Sequence, residues 1–536
     1  MIDFDDVTFA YQPGRPILDS VSLHIPEGEL CLLAGRTGAG KSTLLGAVNG
    51  LVPHFTGGTL AGRVAVDGRD TRGHRPEELA DVVGYVGQDP LRGFVTDTVE
   101  DEIAYGMEQL GVAPLAMRKR VEETLDLMGI AELRRRPLAE LSGGQQQRVA
   151  IAAVLAAGPK VLVLDEPTSS LDPTAAQDVL SAISMLVHDV GLTVLLAEHR
   201  LERVMHAADS MVWLPGDGRA VHGPPARVLA AADVVPPLAA LARIVGWDEV
   251  PLSVRQARRR VKAERIEPRE PFLPPVRGPE LAALDAAELT VRHGRVTAVD
   301  AADLRLAPGT ATVVMGRNGA GKSSLLWALA GALPSSGRLA VDGADPRQLG
   351  PDEARRLAAL VPQNAPDLLY LPTVADELAQ ADKESRAAPG TARRILNSLG
   401  FELNPDADPA DLSEGQKLAL VLAVQLAARP SVVLLDEPTR GLDYRAKAHL
   451  AEALAELKRS GAALAVSTHD VEFAAVAADR IVLLADGQVI ADGPGREVVS
   501  SSPAWSPQMA KVFAPIDVIT PAEVAAGLRD LDGLER

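Results

Sequence analysis

The chain is short of cysteine, of long apolar runs and of basic residues, and each shortage removes a class of protein. Cys31 is its one cysteine, so it has neither an internal disulfide nor a cysteine-cluster metal module. Set in the apolar run "ELCLLAG", Cys31 is expected as a buried strand residue. The most apolar run, Leu418 to Ala428, is interrupted by Gln425 and stopped by Arg429 and Pro430, well short of the ~20 residues that a membrane span needs. The first residues, "MIDFDDVTFAY", have no basic start and no long apolar core, so no secretory signal is expected and the chain is expected to stay in the cytosol. Its 54 Lys and Arg face 72 Asp and Glu, a formal net charge of −18. That balance argues against a broad nucleic-acid surface, which needs clustered cations. The one basic cluster, Arg258, Arg259, Arg260 and Lys262, is interleaved with Glu264 and Glu267 and reads as a solvated linker helix.

What is present is a duplication. A chain of 536 residues, 47% hydrophobic and 24% charged, is globular and too long for one ordinary core. Its stretch "LAGRTGAGKSTLL", Leu33 to Leu45, returns as "VMGRNGAGKSSLL", Val314 to Leu326. "LSGGQQQRVAIAAVLAAGPKVLVLDEPTSSLD" (Leu141 to Asp172) is echoed by "LSEGQKLALVLAVQLAARPSVVLLDEPTRGLD" (Leu412 to Asp443), and "LLAEH" by "VSTHD". A repeat of this length is two copies of a whole domain, expected at 1–228 and 281–500. Residues 229–280 turn to proline, arginine and glutamate and are expected as a linker with one helix before a Pro-rich end. A tail, 501–536, carries a short helical pattern at "PAEVAAGL".

Within each copy, short Val- and Leu-rich runs alternate with helical patterns, the mark of an α/β domain with a buried parallel sheet. The segment from Asp89 to Ala157 is expected to be a mainly helical insertion, shorter in the second copy.

The motifs sit where the chain passes from strand to helix. Gly35, Arg36, Thr37, Gly38, Ala39, Gly40, Lys41 and Ser42, followed by Thr43, fit G-x-x-x-x-G-K-[ST]. So do Gly316, Arg317, Asn318, Gly319, Ala320, Gly321, Lys322 and Ser323, followed by Ser324. Such glycines permit a turn whose N–H groups, with the next helix N-terminus, embrace phosphates. Lys41 and Lys322 are placed to reach the β/γ-phosphates, Ser42 and Ser323 to hold Mg²⁺. Asp165-Glu166 and Asp436-Glu437 close apolar strands. There the first carboxylate can support Mg²⁺ and the second can polarise an attacking water. Ser142, Gly143, Gly144 and Gln145, like Ser413, Glu414, Gly415 and Gln416, open helices and also fit an ordinary capping box.

Together, "LSGGQ" followed by "LDEP" resembles the signature motif of ABC-type ATPases, across both copies. The resemblance implies two P-loop NTPase domains of ABC type, each α/β with a mainly parallel core sheet, an antiparallel β subdomain and a helical subdomain. It also implies that the two domains of the chain pair head to tail over two ATP molecules, each with Mg²⁺. Site one would join Lys41, Ser42, Gln88, Asp165, Glu166 and His199 to Ser413 and Gly415. Site two would join Lys322, Ser323, Gln363, Asp436, Glu437 and His469 to Ser142 and Gly144. Gln88 and Gln363 match the loop glutamine that contacts Mg²⁺ or the attacking water; His199 and His469 match the histidine that steadies the γ-phosphate. Tyr11 matches the aromatic that stacks on adenine, with His293 at its place in the second copy. Glu414 departs from the pattern, standing where the first copy has Gly143, and its charge near the γ-phosphate would slow site one.

"GLVPHFTGGTLAGRVAVDG", "GYVGQDPLRGFVTDTVEDEIAYGMEQLG" and "LAEHRLERV" further resemble the tandem ATPases of energy-coupling factor transporters. That implies a peripheral place on the cytoplasmic face of the membrane, with a transmembrane scaffold protein and a small membrane-embedded substrate binder as partners. The cargo would be a vitamin, a vitamin precursor or a transition-metal ion. The alternatives are a tandem ATPase of another importer class and a soluble ABC factor acting on ribosomes, against which the proline-broken linker and the acidic charge argue.

Overall fold

The computed structural model describes residues 1–12, 14, 16–271, 282–502 and 505–532. The expected Pro-rich end of the linker and the expected first residue of the second domain lie outside the described residues. The chain forms two compact units, Met1–Gln256 and Ala257–Arg536.

In the first unit a six-stranded sheet runs in the order Val221–Gly223, Ser210–Leu214, Leu30–Gly35, Thr193–Ala197, Val161–Asp165, Val83–Val86. The last five are parallel and the first is an antiparallel edge. The central strands are buried along their whole length, which is why they read as unbroken Val and Leu rather than as an alternation. A second, antiparallel sheet holds Leu18–Ile25, Ile2–Ala10, Thr59–Val66 and Arg69–Asp70. Between the sheets lies the helix Lys41–Val48, whose Leu44, Leu45 and Val48 share one core with Phe4, Phe9 and Val163.

The second unit repeats this plan. Its six-stranded sheet runs Ala358–Val361, Val432–Asp436, Ala463–Ser467, Ala311–Met315, Arg480–Ala485, Gln488–Pro494, with the last strand antiparallel. Its antiparallel sheet has Val296–Leu306, Leu284–His293 and Ser335–Val341. In each unit helices are inserted before the strand that carries the Asp-Glu pair: Val99–Gln109, Pro114–Leu127 and Gly143–Leu155 in the first, Val374–Glu384, Thr391–Ser398 and Glu414–Leu426 in the second. The second set has its own core, with Val374, Leu378, Leu396 and Leu420 buried.

The segment expected as a linker with one helix folds further than that. Pro237–Val245 is helical and buries Leu238, Leu241 and Ala242, and Val254–Glu264 is helical and buries Ala257 and Val261. Pro236 and Pro237 read as breakers, yet they stand at the N-cap and first turn, where a missing N–H costs nothing. The tail is ordered too: Gln508–Phe513 buries Met509, Val512 and Phe513, and Pro521–Asp532 is a helix. Gly527 in that helix lets the chain at Arg269 cross it; a Cβ there would come within 2.5 Å of the Arg269 carbonyl oxygen.

Cys31 is fully buried in the strand Leu30–Gly35, and burial pushes its thiol up to about 12. Because the thiolate is the reactive form, a thiol reagent at neutral pH is expected to leave the native chain unlabelled and to label one site after unfolding. Native-state labelling at the denatured rate would contradict this placement.

Candidate nucleotide sites

Each glycine-rich loop connects a buried strand to a buried helix, and its backbone is shaped by what lies against it. Gly40 and Gly321, the residues before the helices Lys41–Val48 and Lys322–Leu329, have φ of 98° and 101°. A Cβ on Gly40 would fall 2.8 Å from Ile17 Cγ2, and one on Gly321 would fall 2.1 Å from the Ala298 oxygen. Only glycine satisfies both the left-handed backbone and the close approach. The two lysines are 6% exposed and fold back over their loops. Lys41 Nζ donates to the carbonyls of Gly35 (3.1 Å) and Arg36 (3.2 Å), and Lys322 Nζ to those of Gly316 (3.0 Å) and Arg317 (3.2 Å). Arg36 itself is paired with Asp233.

The carboxylates converge on the same loops. The Ser42 hydroxyl bonds to Asp165, and that of Ser323 to Asp436. Burial raises both aspartates, and the charges of Glu166 on Asp165 and of Glu437 on Asp436 add to it. Glu166 and Glu437 take φ of 52° and 49°, a left-handed backbone that costs a side-chain-bearing residue roughly 1–2 kcal/mol. Their amides donate to Ala197 O and Ser467 O, each at 3.0 Å, so the strained turn is held by the neighbouring strand. Glu166 Oε1 lies 2.6 Å from His199 Nε2, and Gln88 Nε2 donates to Glu166 Oε2 at 3.1 Å. Burial pushes the Glu166 carboxyl up, but the His199 bond and the charges of His199 and Lys41 overcome it and draw it below its ordinary value. In the second unit His469 uses Nδ1, 2.8 Å from Glu437 Oε2, while Lys322 Nζ is 3.5 Å from Glu437 Oε1. Gln363 is exposed just beyond the strand Ala358–Val361.

Tyr11 is half exposed and its phenol is 2.8 Å from Thr43 Oγ1. His293 occupies the corresponding place, with Nε2 3.0 Å from Ser324 Oγ. The signature residues are engaged at their own helix ends. Ser142 and Gln145 form a reciprocal capping box, as do Ser413 and Gln416. The box itself is worth about 1 kcal/mol to the helix. Gly144 is pressed against the helix Pro173–His188, where a Cβ would meet Ala175 Cβ at 2.9 Å; at Gly415 the corresponding contact with Ala446 is 3.3 Å.

Three features escaped the sequence reading. Glu414 is exposed and pairs with Lys417 Nζ at 3.2 Å, so the added carboxylate arrives with a counter-charge one turn along. The other two are Ser467, which donates to Asp436, and Tyr85, whose phenol lies beside Asp165. A strand tyrosine and a strand serine carry no signal until the register is known.

A family model described as ABC transporter matches residues 18–169 and again residues 299–440, taking in both loops and both Asp-Glu pairs. The chain belongs to the ABC transporter family of ATPases. A protein named as an ABC transporter ATP-binding protein in Streptomyces coelicolor is 53% identical, over 98% of this chain and 100% of that one. A relative of the same name in Methanosarcina acetivorans is 33% identical, over 94% of this chain and 86% of that one. Among solved structures, an archaeal ribosome recycling factor in complex with a ribosomal stalk protein has a TM-score of 0.58 at 19% identity, over 92% of this chain and 91% of that one. That likeness is one of fold.

ABC ATPases bind ATP with Mg²⁺. The residues present fit both: a buried ammonium inside a glycine loop suits phosphate, and a carboxylate bonded to a hydroxyl suits a hard cation that prefers oxygen.

Proposed function

We propose that this ABC ATPase energises a membrane importer of energy-coupling factor type, for a vitamin, a vitamin precursor or a transition-metal ion. A transmembrane scaffold protein and a small membrane-embedded substrate binder are its partners, and it sits on the cytoplasmic face of the membrane. The observation that carries the reading is a link between Glu166 and an apolar groove. Gln88 bonds Glu166. The segment that follows Gln88 exposes Leu91 and Val95, at 51% and 62%. Val95 then lines a cavity of about 400 Å³ with Gly84, Tyr105, Leu110 and Ala153. An apolar wall tied by one hydrogen bond to a candidate catalytic carboxylate is suited to coupling a partner's helix to ATP.

In this reading Lys41 and Lys322 hold the β/γ-phosphates. Ser42, Gln88 and Asp165 in one unit, and Ser323, Gln363 and Asp436 in the other, would hold Mg²⁺, whose charge would offset that of the phosphates. Glu166 and Glu437 accept the proton of the attacking water, and His199 and His469 steady the γ-phosphate. Tyr11 and His293 stack on adenine. Each loop works with the signature of the other unit, Ser413 and Gly415 or Ser142 and Gly144, so the chain closes on ATP and reopens after hydrolysis. The power is mostly electrostatic and positional.

The test is purification of the tagged chain from detergent-solubilised cells, with mass spectrometry of what accompanies it. The expected result is a multi-span scaffold with a small multi-span binder, both lost from a Val95→Arg chain that still binds ATP. Ribosomes without membrane proteins would overturn the importer reading.

A further inference from the structure

The two copies diverge around their strand-end aspartates in a reciprocal way. In the second unit Ser467 Oγ donates to Asp436 Oδ1 at 2.5 Å and accepts the Glu437 N–H at 2.9 Å. Ser467 is the strand partner of Asp436, and in the first unit the partner of Asp165 is Ala197, which has no hydroxyl. The first unit supplies its hydroxyl from the opposite neighbour. Tyr85, on the strand Val83–Val86, pairs in register with Val163, two residues before Asp165 and so on the same face of the sheet, and its phenol lies beside Asp165. The residue in that register in the second unit is Leu360, beside Leu434, which cannot donate. One copy therefore has Tyr85 with Ala197, the other Leu360 with Ser467. Each aspartate has beside it the hydroxyl of its phosphate-loop serine and one more from a flanking strand.

We propose that Tyr85 and Ser467 are positioning residues for the metal-binding aspartates, each doing in its own unit what the other copy does from the opposite strand. This rests on the reading of Asp165 and Asp436 as Mg²⁺ residues. The physical need is plain. A serine hydroxyl that held Mg²⁺ would no longer fix the aspartate, and the second hydroxyl would keep one carboxylate oxygen bonded and leave the other for the ion. Beside an ionised carboxylate, which only accepts, the phenol O–H of Tyr85 is the donor. Ser467 adds a second task, because its acceptance of the Glu437 amide also pins the left-handed turn that presents Glu437.

The experiment isolates each site in the full chain. With Lys322→Ala silencing site two, binding of a fluorescent ATP analogue is titrated with Mg²⁺ and again in EDTA. Tyr85→Phe is expected to raise the Mg²⁺ concentration for half-maximal binding about tenfold while leaving affinity in EDTA unchanged. Adding Ala197→Ser to Tyr85→Phe, which installs the second copy's solution, is expected to recover most of that loss. With Lys41→Ala as background, Ser467→Ala is expected to give the same Mg²⁺-specific loss at site two, and Ser467→Thr to retain most of the wild-type response. Equal weakening with and without Mg²⁺, an unchanged Mg²⁺ response in both units, or no recovery with Ala197→Ser would overturn the proposal. Absence of any Mg²⁺-dependent binding in the Lys322→Ala and Lys41→Ala chains themselves would instead overturn the assignment of the loops on which it rests.

Discussion

A chain carrying both Glu166→Gln and Glu437→Gln is expected to lose ATP turnover by about a hundredfold or more, with nucleotide affinity kept. The size follows from what the carboxylates do. A positioned general base is worth roughly 10²–10⁴ in rate, and glutamine keeps the size of glutamate and one acceptor oxygen while removing its charge and basicity. The structure favours a base that is charged at neutral pH in the first unit, where His199 and Lys41 draw Glu166 below its ordinary value. It also holds the carboxylate in place, between His199 at 2.6 Å and Gln88 at 3.1 Å. Glu437 sits instead between His469 Nδ1 and Lys322, so the two single variants need not fall equally. Steady-state phosphate release from each decides this. Equal losses would remove the case for unequal sites, and turnover preserved in the double variant would remove both residues from the chemistry.

The second large effect is expected from Lys41→Ala and Lys322→Ala. Each ammonium is buried against two loop carbonyls, neutral acceptors that a phosphate would replace with charged ones. Charge-assisted bonds of this kind are worth about 1.5–3 kcal/mol, or roughly 10- to 150-fold in Kd. Nucleotide titration is therefore expected to show one weakened site in each single variant and two in the double. Each lysine also neighbours buried carboxylates, Lys322 at 3.5 Å from Glu437 and Lys41 beside Asp165 and Glu166, so both variants are also expected to lower thermal stability. Unchanged affinity in either chain would contradict the placement of that loop.

The sequence and the structure agree most where several residues must satisfy one constraint together. The loops, the Asp-Glu strand ends and the capping serines were legible because glycine, apolar strand and helix start occur in a fixed order, twice. The fold class followed from the fully buried Val- and Leu-rich strands. Other features depend on neighbours distant in sequence. Tyr85 and Ser467 are ordinary strand residues until the parallel register sets them beside Asp165 and Asp436. The left-handed backbone of Glu166 and Glu437 belongs to the turn that leaves each strand for the following helix and is held by the adjacent strand, and no local preference of glutamate announces it. Pro236-Pro237 was misleading for a local reason, since the same pair that ends a helix also begins one. Lys417 was within reach of sequence reasoning. Its spacing of three from Glu414 on a helix predicts the ion pair that offsets the added charge.

The duplication itself is the feature that most needs an account, and counting bound nucleotides tests it most directly. The Glu166→Gln/Glu437→Gln chain is incubated with Mg²⁺ and radiolabelled ATP, separated from free nucleotide, and assayed for label per chain. Two ATP molecules retained per chain is the predicted result. One or none, from a chain whose fold is intact, would contradict the claim that both copies of the loop serve working ATP sites.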